Sequence, residues 1–220
     1  MPKKDDIWIP ESIFENSEFW KLTPLKYKIL LAYYEENEKS ITDLHRKVGY
    51  VGKRRTVSLA KIKKSLDELK GFFFTDDLEL KYTNRIGKAE FIKIQKEAGK
   101  PDHLIRESWK VYVKNTDNPI RMRRDTYDFI FNNSITSLQM KCILYVLRAY
   151  KNQNTKYYTR RYIEIAKIFG MNTDRGTYIN DISNGFTFVL ININNGFLKS
   201  VEDLKLPGKR GKALKIIIRD

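Results

Sequence analysis

Basic side chains gather at a few places along the chain, each next to a turn or at the start of a helical pattern. Lysine and arginine donate charge-assisted hydrogen bonds to phosphate oxygens, so such clusters favour a phosphate-bearing partner. The clustered residues, with one neighbouring hydroxyl, are Lys53, Arg54, Arg55, Thr56, Lys61, Lys64, Lys88, Arg160, Arg161, Arg175, Lys209, Arg210 and Lys212. The sequence therefore predicts a cationic surface that binds a polyanion.

Amide side chains add a second kind of chemistry. Asn180 and Asn184 are four residues apart, which places them on one face of a helix, with Thr177 about one turn earlier. An asparagine amide can pair with both N6 and N7 of adenine, so these asparagines are candidate base-reading residues. Simpler interpretations stay open: a solvated lysine-rich helix face, a neutral exposed asparagine face and a solvated loop at 206–212.

Residue patterns typical of catalysis are not found in the sequence. It contains no Gly-x-x-x-x-Gly-Lys-Ser/Thr loop for a nucleoside triphosphate. His45 and His103 are the only histidines and are far apart in the sequence, which argues against a paired-histidine metal site. Cys142 is the only cysteine, so neither an internal disulfide nor a Cys/His zinc site can be assembled. We expect no enzymatic activity, no metal and no cofactor.

The overall charge agrees with a polyanionic partner. Of 220 residues, 42 are Lys or Arg and 27 are Asp or Glu, which gives a formal net charge of +15. No apolar run approaches the roughly 20 residues that span a bilayer. The first six residues, Met1 to Asp6, also lack the apolar stretch of a signal peptide. We expect a cytoplasmic protein that does not enter a membrane.

Several short landmarks occur twice in the same order. Their first and second copies are Thr23-Pro24-Leu25 and Thr136-Ser137-Leu138, Lys28-Ile29-Leu30-Leu31 and Lys141-Cys142-Ile143-Leu144, Val48-Gly49 and Phe169-Gly170, Gly71-Phe72 and Gly196-Phe197, and Gly87-Lys88-Ala89 and Gly211-Lys212-Ala213. Each string is common by itself, but the shared order and the nearly constant offset predict a duplicated module of about 100 residues.

The first copy reads as helices followed by a hairpin. Helical patterns begin at Pro10 and at Pro24, and two further ones end at Gly49 and Gly71. The inward residues of the last helix are Leu59, Ile62, Leu66 and Leu69. Alternating apolar residues then predict a strand over 72–82 and a returning strand over 91–94.

The second copy repeats this series. Helices are predicted over 122–131, 138–150, 160–169 and about 175–194, followed by a hairpin over 197–218 with a basic tip. The inward stripe of the last helix is Ile179, Ile182, Phe186, Val189 and Ile193. Gly185 in its middle costs about 1 kcal/mol of helix propensity and predicts a bend.

The series helix, helix, turn, helix, hairpin resembles a winged helix-turn-helix domain over most of each half. The resemblance implies an α+β, predominantly helical fold with two tandem winged-helix domains, each of three to four helices plus a β-hairpin wing. We expect these domains at 1–100 and 119–220, joined by a linker at 101–118. In such domains the helix after the turn enters the DNA major groove while nearby loops contact phosphates. The clustered cations and amides would then contact double-stranded DNA.

Two tandem winged helices without an attached catalytic or ligand-sensing domain resemble the initiator proteins of theta-replicating plasmids and the origin-binding proteins of phages. The segments Ile7-Trp8-Ile9-Pro10 and Leu22-Thr23-Pro24-Leu25 are similar to the opening of Gram-positive replication proteins. The resemblance implies binding of repeated origin sites through both modules, host replication proteins as partners and a homodimer whose conversion to monomers regulates initiation. Two alternatives stay open: a transcriptional or partition regulator of a mobile element, and a winged-helix module that binds other proteins.

Overall fold

A computed structural model describes residues 6–35, 40–51, 54–82, 88–115, 119–151, 157–174, 176–193, 198–205 and 212–218. Most of these residues are helical, and their strands form one three-stranded and two two-stranded sheets. The expected class, α+β and predominantly helical, is confirmed. Within the described residues, no helix has both the length and the apolar character needed to cross a membrane.

The first half contains three α-helices in close succession. Its elements are β1 (Ile7–Pro10), 3-10 helices at Glu11–Glu15 and Phe19–Lys21, α1 (Pro24–Glu35), α2 (Ile41–Val48), β2 (Tyr50–Val51), β3 (Arg54–Arg55) and α3 (Leu59–Leu69). Ser40 caps α2 by accepting a hydrogen bond from the Asp43 amide at 3.1 Å, and Ser58 caps α3 through the Lys61 amide at 3.3 Å. Both caps satisfy backbone N–H groups that a helix leaves free at its start.

The returning strand predicted at 91–94 is wrong, because these residues lie in helix α4 (Lys88–Glu97). A second helix, α5 (Asp102–Asn115), occupies most of the segment predicted as a linker. Phe91 of α4 packs edge to face on Trp109 of α5, with 5.2 Å between ring centroids. Lys88 is therefore the first residue of a helix and not part of a hairpin.

The other arm of that predicted hairpin, 72–82, forms turns with isolated bridges instead of a strand. The Leu78 amide donates to the Thr75 carbonyl at 3.1 Å, and the Glu79 amide to the Thr75 hydroxyl at 3.1 Å. Leu78 also has φ of 65°, a left-handed conformation that no strand contains. The chain therefore forms a local turn from Thr75 to Leu78, and not the strand that the alternation of Leu78 and Leu80 predicted.

The second half agrees with its predicted helices and hairpin. Its elements are β4 (Pro119–Met122), α6 (Arg124–Asn132), α7 (Ser137–Lys151), β5 (Tyr157–Arg161), α8 (Tyr162–Ile168), α9 (Tyr178–Asn192), β6 (Leu198–Lys205) and β7 (Lys212–Ile218). Strand β7 lies in the middle of the three-stranded sheet and pairs antiparallel with both β5 and β6. Arg160 and Arg161, predicted to begin a helix, are the last two residues of β5.

Strands β1 and β4 join the two halves as an antiparallel pair. Ile7 lies opposite Met122, Trp8 opposite Arg121 and Ile9 opposite Ile120. The landmark threonines at positions 23 and 136 are 113 positions apart, and the same offset converts residues 7–9 into residues 120–122. Each strand therefore pairs, in reversed order, with the segment that this offset assigns to it as the predicted repeat copy. This is the register of a two-fold contact between identical subunits, here formed within one chain.

The apolar core is continuous between the halves. Trp20 of the first half packs against Tyr145 and Phe169 of the second, at ring-centroid distances of 6.1 and 5.4 Å. The Trp20 indole N–H donates to the Phe14 carbonyl at 2.9 Å, which satisfies its polar atom inside the core. Residues from both halves form one buried cluster, so the halves stabilise each other.

A shielded ion network also joins the halves around Glu35, the last residue of α1. The Glu35 carboxylate pairs with Lys47 of α2 and Arg124 of α6, and accepts a hydrogen bond from the Tyr127 hydroxyl at 2.8 Å. Its side chain is 10% exposed. Salt screens such a pair less than a surface ion pair, so we expect this contact to persist at high ionic strength.

Candidate nucleic-acid interface

Helix α3 presents its lysines to solvent as its periodicity predicts. Ile62, Leu66 and Leu69 are buried, which confirms three of the four residues of the inward stripe, whereas Leu59 is half-buried and Lys61 and Lys64 are exposed. The amphipathic spacing thus separates an apolar face from a cationic one on a single helix.

The turn before α3 is held by its own hydrogen bonds. The Thr56 hydroxyl donates to the Gly49 carbonyl at 3.2 Å, and the Thr56 amide donates to the same oxygen at 2.8 Å. His45 donates through Nε2 to the Val57 carbonyl at 3.1 Å. A Cβ on Gly49 would lie 2.6 Å from the His45 ring, so glycine permits this contact. Thr56, predicted to contact a ligand, has a structural bond in this turn.

A groove of about 770 Å³ runs along α3. Lys61 and Lys64 line it together with the start of α1 and with Ile135 from the second half. Lys26 of α1 lies 2.6 Å from the Glu68 carboxylate, and Lys64 lies 4.0 Å from it. The hydrogen bond from Lys26 lowers the pKa of Glu68, so this carboxylate stays charged and offsets part of the lysine charge. Because Ile135 of the second half also lines this groove, the outer face of α3 borders both halves.

In the second half, the sheet brings two predicted cations to one end. Arg161 on β5 lies opposite Ala213 on β7, next to Lys212, which is exposed. Helix α8 begins directly after Arg161, so these cations lie where the sheet meets the helices. Arg160 points its Nε at the Glu164 carboxylate, 3.2 Å away, and its side chain is 38% exposed.

Helix α9 carries the two candidate base-reading residues. Asn180 and Asn184 are exposed, and so is Thr177, just before the helix. Ile182, Phe186 and Val189 of the predicted inward stripe are fully buried against the core. The helix therefore offers a polar amide face to solvent, and base reading by that face stays a prediction.

Several candidate residues keep their charge uncompensated. Within the described ranges, no carboxylate forms an ion pair with Arg54, Lys61, Arg161 or Lys212. Lys53, Arg175, Lys209 and Arg210 lie outside the described residues, as do the side chains of Arg55 and Lys88. Arg54, Lys61, Arg161 and Lys212 therefore give the described surface cationic hydrogen-bond donors that can bind phosphate oxygens.

Sequence reasoning missed Lys26 and Arg148, which the fold places near Lys61 and Arg160 respectively. Lys26 and Glu68 belong to the groove along α3. Arg148 lies in α7, a helix that is otherwise almost entirely buried at its centre. An arginine inside an apolar helical stretch was a signal available in the sequence, because arginine is rarely buried without a partner.

The described residues contain no group of three or more His, Cys, Asp or Glu side chains placed to hold a metal ion. Cys142 is fully buried, and burial raises the pKa of its thiol well above the ordinary value, so the thiol stays protonated.

Comparisons with protein-family models, with curated proteins and with solved structures find no significant match to the chain. Its function is therefore inferred from its own geometry and charge.

Proposed function

We propose that the protein binds double-stranded DNA sequence-specifically through two helix-turn-helix modules, the second of them winged, and acts in the cytoplasm as a plasmid or phage replication initiator. The observation that carries this proposal is the order of elements in the second half. Helices α7, α8 and α9 are followed by the hairpin β6–β7, and β5, just before α8, joins the hairpin to give the sheet order β5-β7-β6. In a winged helix the third helix enters the major groove, so α9 is the proposed recognition helix.

The first half supports a related module that differs in the elements after its third helix. Helices α1, α2 and α3 follow the same order as α7, α8 and α9, with α3 after the basic turn. The described part of this half has turns and α4 in place of the hairpin. We infer that α3 and its preceding turn contact DNA without a neighbouring wing.

The side chains on the two proposed recognition helices have different roles in this proposal. Lys61 and Lys64 on α3 would contact phosphates, which contribute affinity with little dependence on sequence. Asn180 and Asn184 on α9 carry amides that can read adenine through two hydrogen bonds each. Specificity would then come mostly from the second half, while both halves contribute affinity.

The pairing of β1 with β4 supports an initiator more than a dimeric regulator. Within one chain, β1 and β4 already pair in the register of a two-fold contact. A regulator with one module per chain would need a second copy to cover two half-sites. Host replication proteins are then the expected further partners of the DNA-bound chain.

A salt titration of DNA affinity tests DNA binding. We expect affinity for duplex DNA to fall steeply with salt, because each phosphate contact releases counterions. The double variant Lys61→Gln/Lys64→Gln should weaken binding to all sequences and reduce the log–log salt slope by about 2, one for each lost phosphate contact.

The matched control is Lys93→Gln/Lys96→Gln on α4, which removes the same charge from residues that do not line the groove along α3. The control should shift affinity less and leave the slope near the wild-type value. A flat salt response in the wild-type protein, or equal effects of both double variants, would contradict the proposed interface.

Selection of bound fragments from random duplexes and from DNA flanking the gene tests the biological role. Long asymmetric sites recovered as direct repeats beside the gene would support an initiator. A palindrome bound by two chains would point to a regulator, and no enrichment would point to a protein partner.

A further inference from the structure

A small polar cavity of about 200 Å³ lies between α7 and β5. It is lined by Tyr145, Arg148 and Ala149 of α7 and by Tyr158 and Arg160 of β5. Two guanidinium groups and two phenol hydroxyls thus face one space, and no carboxylate lines it.

The cavity contains more hydrogen-bond donors than acceptors. Arg160 donates to the Tyr158 hydroxyl oxygen at 3.0 Å, and the Tyr145 hydroxyl donates to the same oxygen at 3.3 Å. Because that oxygen can accept both bonds, the Tyr158 proton is left for another acceptor. Arg148 donates to the Phe14 carbonyl at 3.3 Å. Its remaining N–H groups have no acceptor within the described part of the chain.

The charge of the cavity is positive, and its buried Tyr145 hydroxyl stays protonated. Tyr145 is 2% exposed, and burial raises the pKa of its phenol, so the hydroxyl remains a neutral donor. Glu164 is 3.2 Å from Nε of Arg160, which offsets one guanidinium charge and orients that side chain. The Arg148 charge has no carboxylate beside it among the described residues.

We propose that Tyr145, Arg148, Tyr158 and Arg160 bind a tetrahedral oxyanion of the phosphate class. A phosphate group presents at least three strong acceptor oxygens, and the planar fork of arginine matches its geometry. A carboxylate has two oxygens and would leave more of these donors without a partner. The volume exceeds the roughly 30 Å³ that one water occupies in the liquid, so a larger polar group fits.

The phosphate group could come from a free anion or nucleotide, or from the DNA backbone. Both sources share the chemistry that these side chains recognise. Phosphate binding at this cavity can therefore be tested independently of DNA binding, with inorganic phosphate as the probe.

Thermal unfolding in phosphate and in chloride, at equal ionic strength and pH, tests the site. A ligand that binds the folded state raises the Tm, so the wild-type Tm should rise saturably with inorganic phosphate. Arg148→Gln and Arg160→Gln should each weaken the apparent phosphate affinity by about ten- to a hundredfold, the effect of one or two lost charged hydrogen bonds. Arg106→Gln on exposed α5 makes the same charge change away from the cavity and should preserve the response.

A second measurement needs no variant, because Arg148→Gln also loses the bond to Phe14 and could destabilise the fold. In the wild-type protein, the guanidinium Nε–H resonances of Arg148 and Arg160 should shift saturably with phosphate and not with chloride. Unchanged resonances together with a Tm that depends on ionic strength alone would overturn the proposal.

Duplex DNA binding distinguishes the two sources. If the site holds a backbone phosphate, Arg148→Gln lowers DNA affinity, reduces the salt slope by about 1, and phosphate competes with DNA. If it holds a free anion, DNA affinity is unchanged by Arg148→Gln and phosphate still raises the Tm of the complex. A protein that binds phosphate but no DNA would refute the proposed function and leave this site standing.

Discussion

Gly185 brings the backbone of α9 against the Cys142 side chain of α7. A Cβ on Gly185 would lie 2.6 Å from the Cys142 sulfur, and the helix runs unbroken from Tyr178 to Asn192. This glycine therefore permits close helix packing and does not interrupt the helix. In Gly185→Ala, overpacking costs about 1–3 kcal/mol, while helix propensity returns up to about 1 kcal/mol. We expect a net loss of about 1 kcal/mol in the free energy of unfolding, measured by urea denaturation.

Two comparisons assign that loss to the contact. Thr187→Ala on the exposed face of α9 should change the unfolding free energy by less than about 0.5 kcal/mol. In a Cys142→Ala background the sulfur is gone, so Gly185→Ala should cost less than in the wild type. Equal costs in both backgrounds would mean that the strain has another source.

Asp6 makes the contact between β1 and β4 sensitive to acid. Partial burial acts to raise the pKa of Asp6, but hydrogen bonds from the Arg121 side chain and the Arg124 amide lower it below the ordinary value of 3.8. A carboxyl with a depressed folded-state pKa stabilises the fold above its unfolded pKa and loses that effect as pH falls through the folded value. Below about pH 4, the Tm of the wild type should therefore fall more than that of Asp6→Asn. Asp102→Asn, on exposed α5, should keep the wild-type slope of Tm against pH.

At the scale of single elements, α9 is the proposed recognition helix and its amides should affect sequence preference. Asn180→Ala removes one bidentate pair, so discrimination at one base pair should fall by about 1–3 kcal/mol while other positions keep their preference. Binding to a set of single-base variants of the selected site measures this change. Asn192→Ala is the matched control, since Asn192 bonds to the Phe188 carbonyl at the far end of α9. A uniform loss of affinity in Asn180→Ala would make this residue a backbone contact.

At the scale of the whole molecule, the continuous core predicts one cooperative unfolding transition. In a Trp8→Phe/Trp109→Phe variant, Trp20 is the remaining tryptophan and contacts both Tyr145 and Phe169, so fluorescence reports the contact between the halves, whereas far-UV circular dichroism reports all helices. The two probes should give coincident denaturant curves. Ile120→Ala should shift both curves together, by about 2–5 kcal/mol, because Ile120 is 1% exposed in the pairing of β4 with β1. Curves that separate, or a shift in one probe, would show that the halves unfold independently.

The sequence by itself determined the features that depend on near neighbours in the chain. The buried stripes of α3 and α9 follow from spacings of three and four, and α2 ends at Val48, directly before the predicted Gly49. The repeated landmarks also predicted a duplication, and the reversed register of β1 and β4 agrees with it. Exposure of Lys61, Lys64, Asn180 and Asn184 was predictable for the same reason, since a helix with one apolar face must present the other to solvent.

Tertiary structure alone decided which distant segments meet. The alternation of Leu78 with Leu80 predicted a strand, but a strand needs a partner, and 91–94 forms a helix that packs on α5 instead. The pairing of β5 with β7, the groove between α3 and Ile135, and the cavity shared by Arg148 and Arg160 each join residues that periodicity cannot relate. Local spacing encodes which face of an element is apolar, whereas the neighbours of that face depend on packing and backbone pairing over long sequence separations.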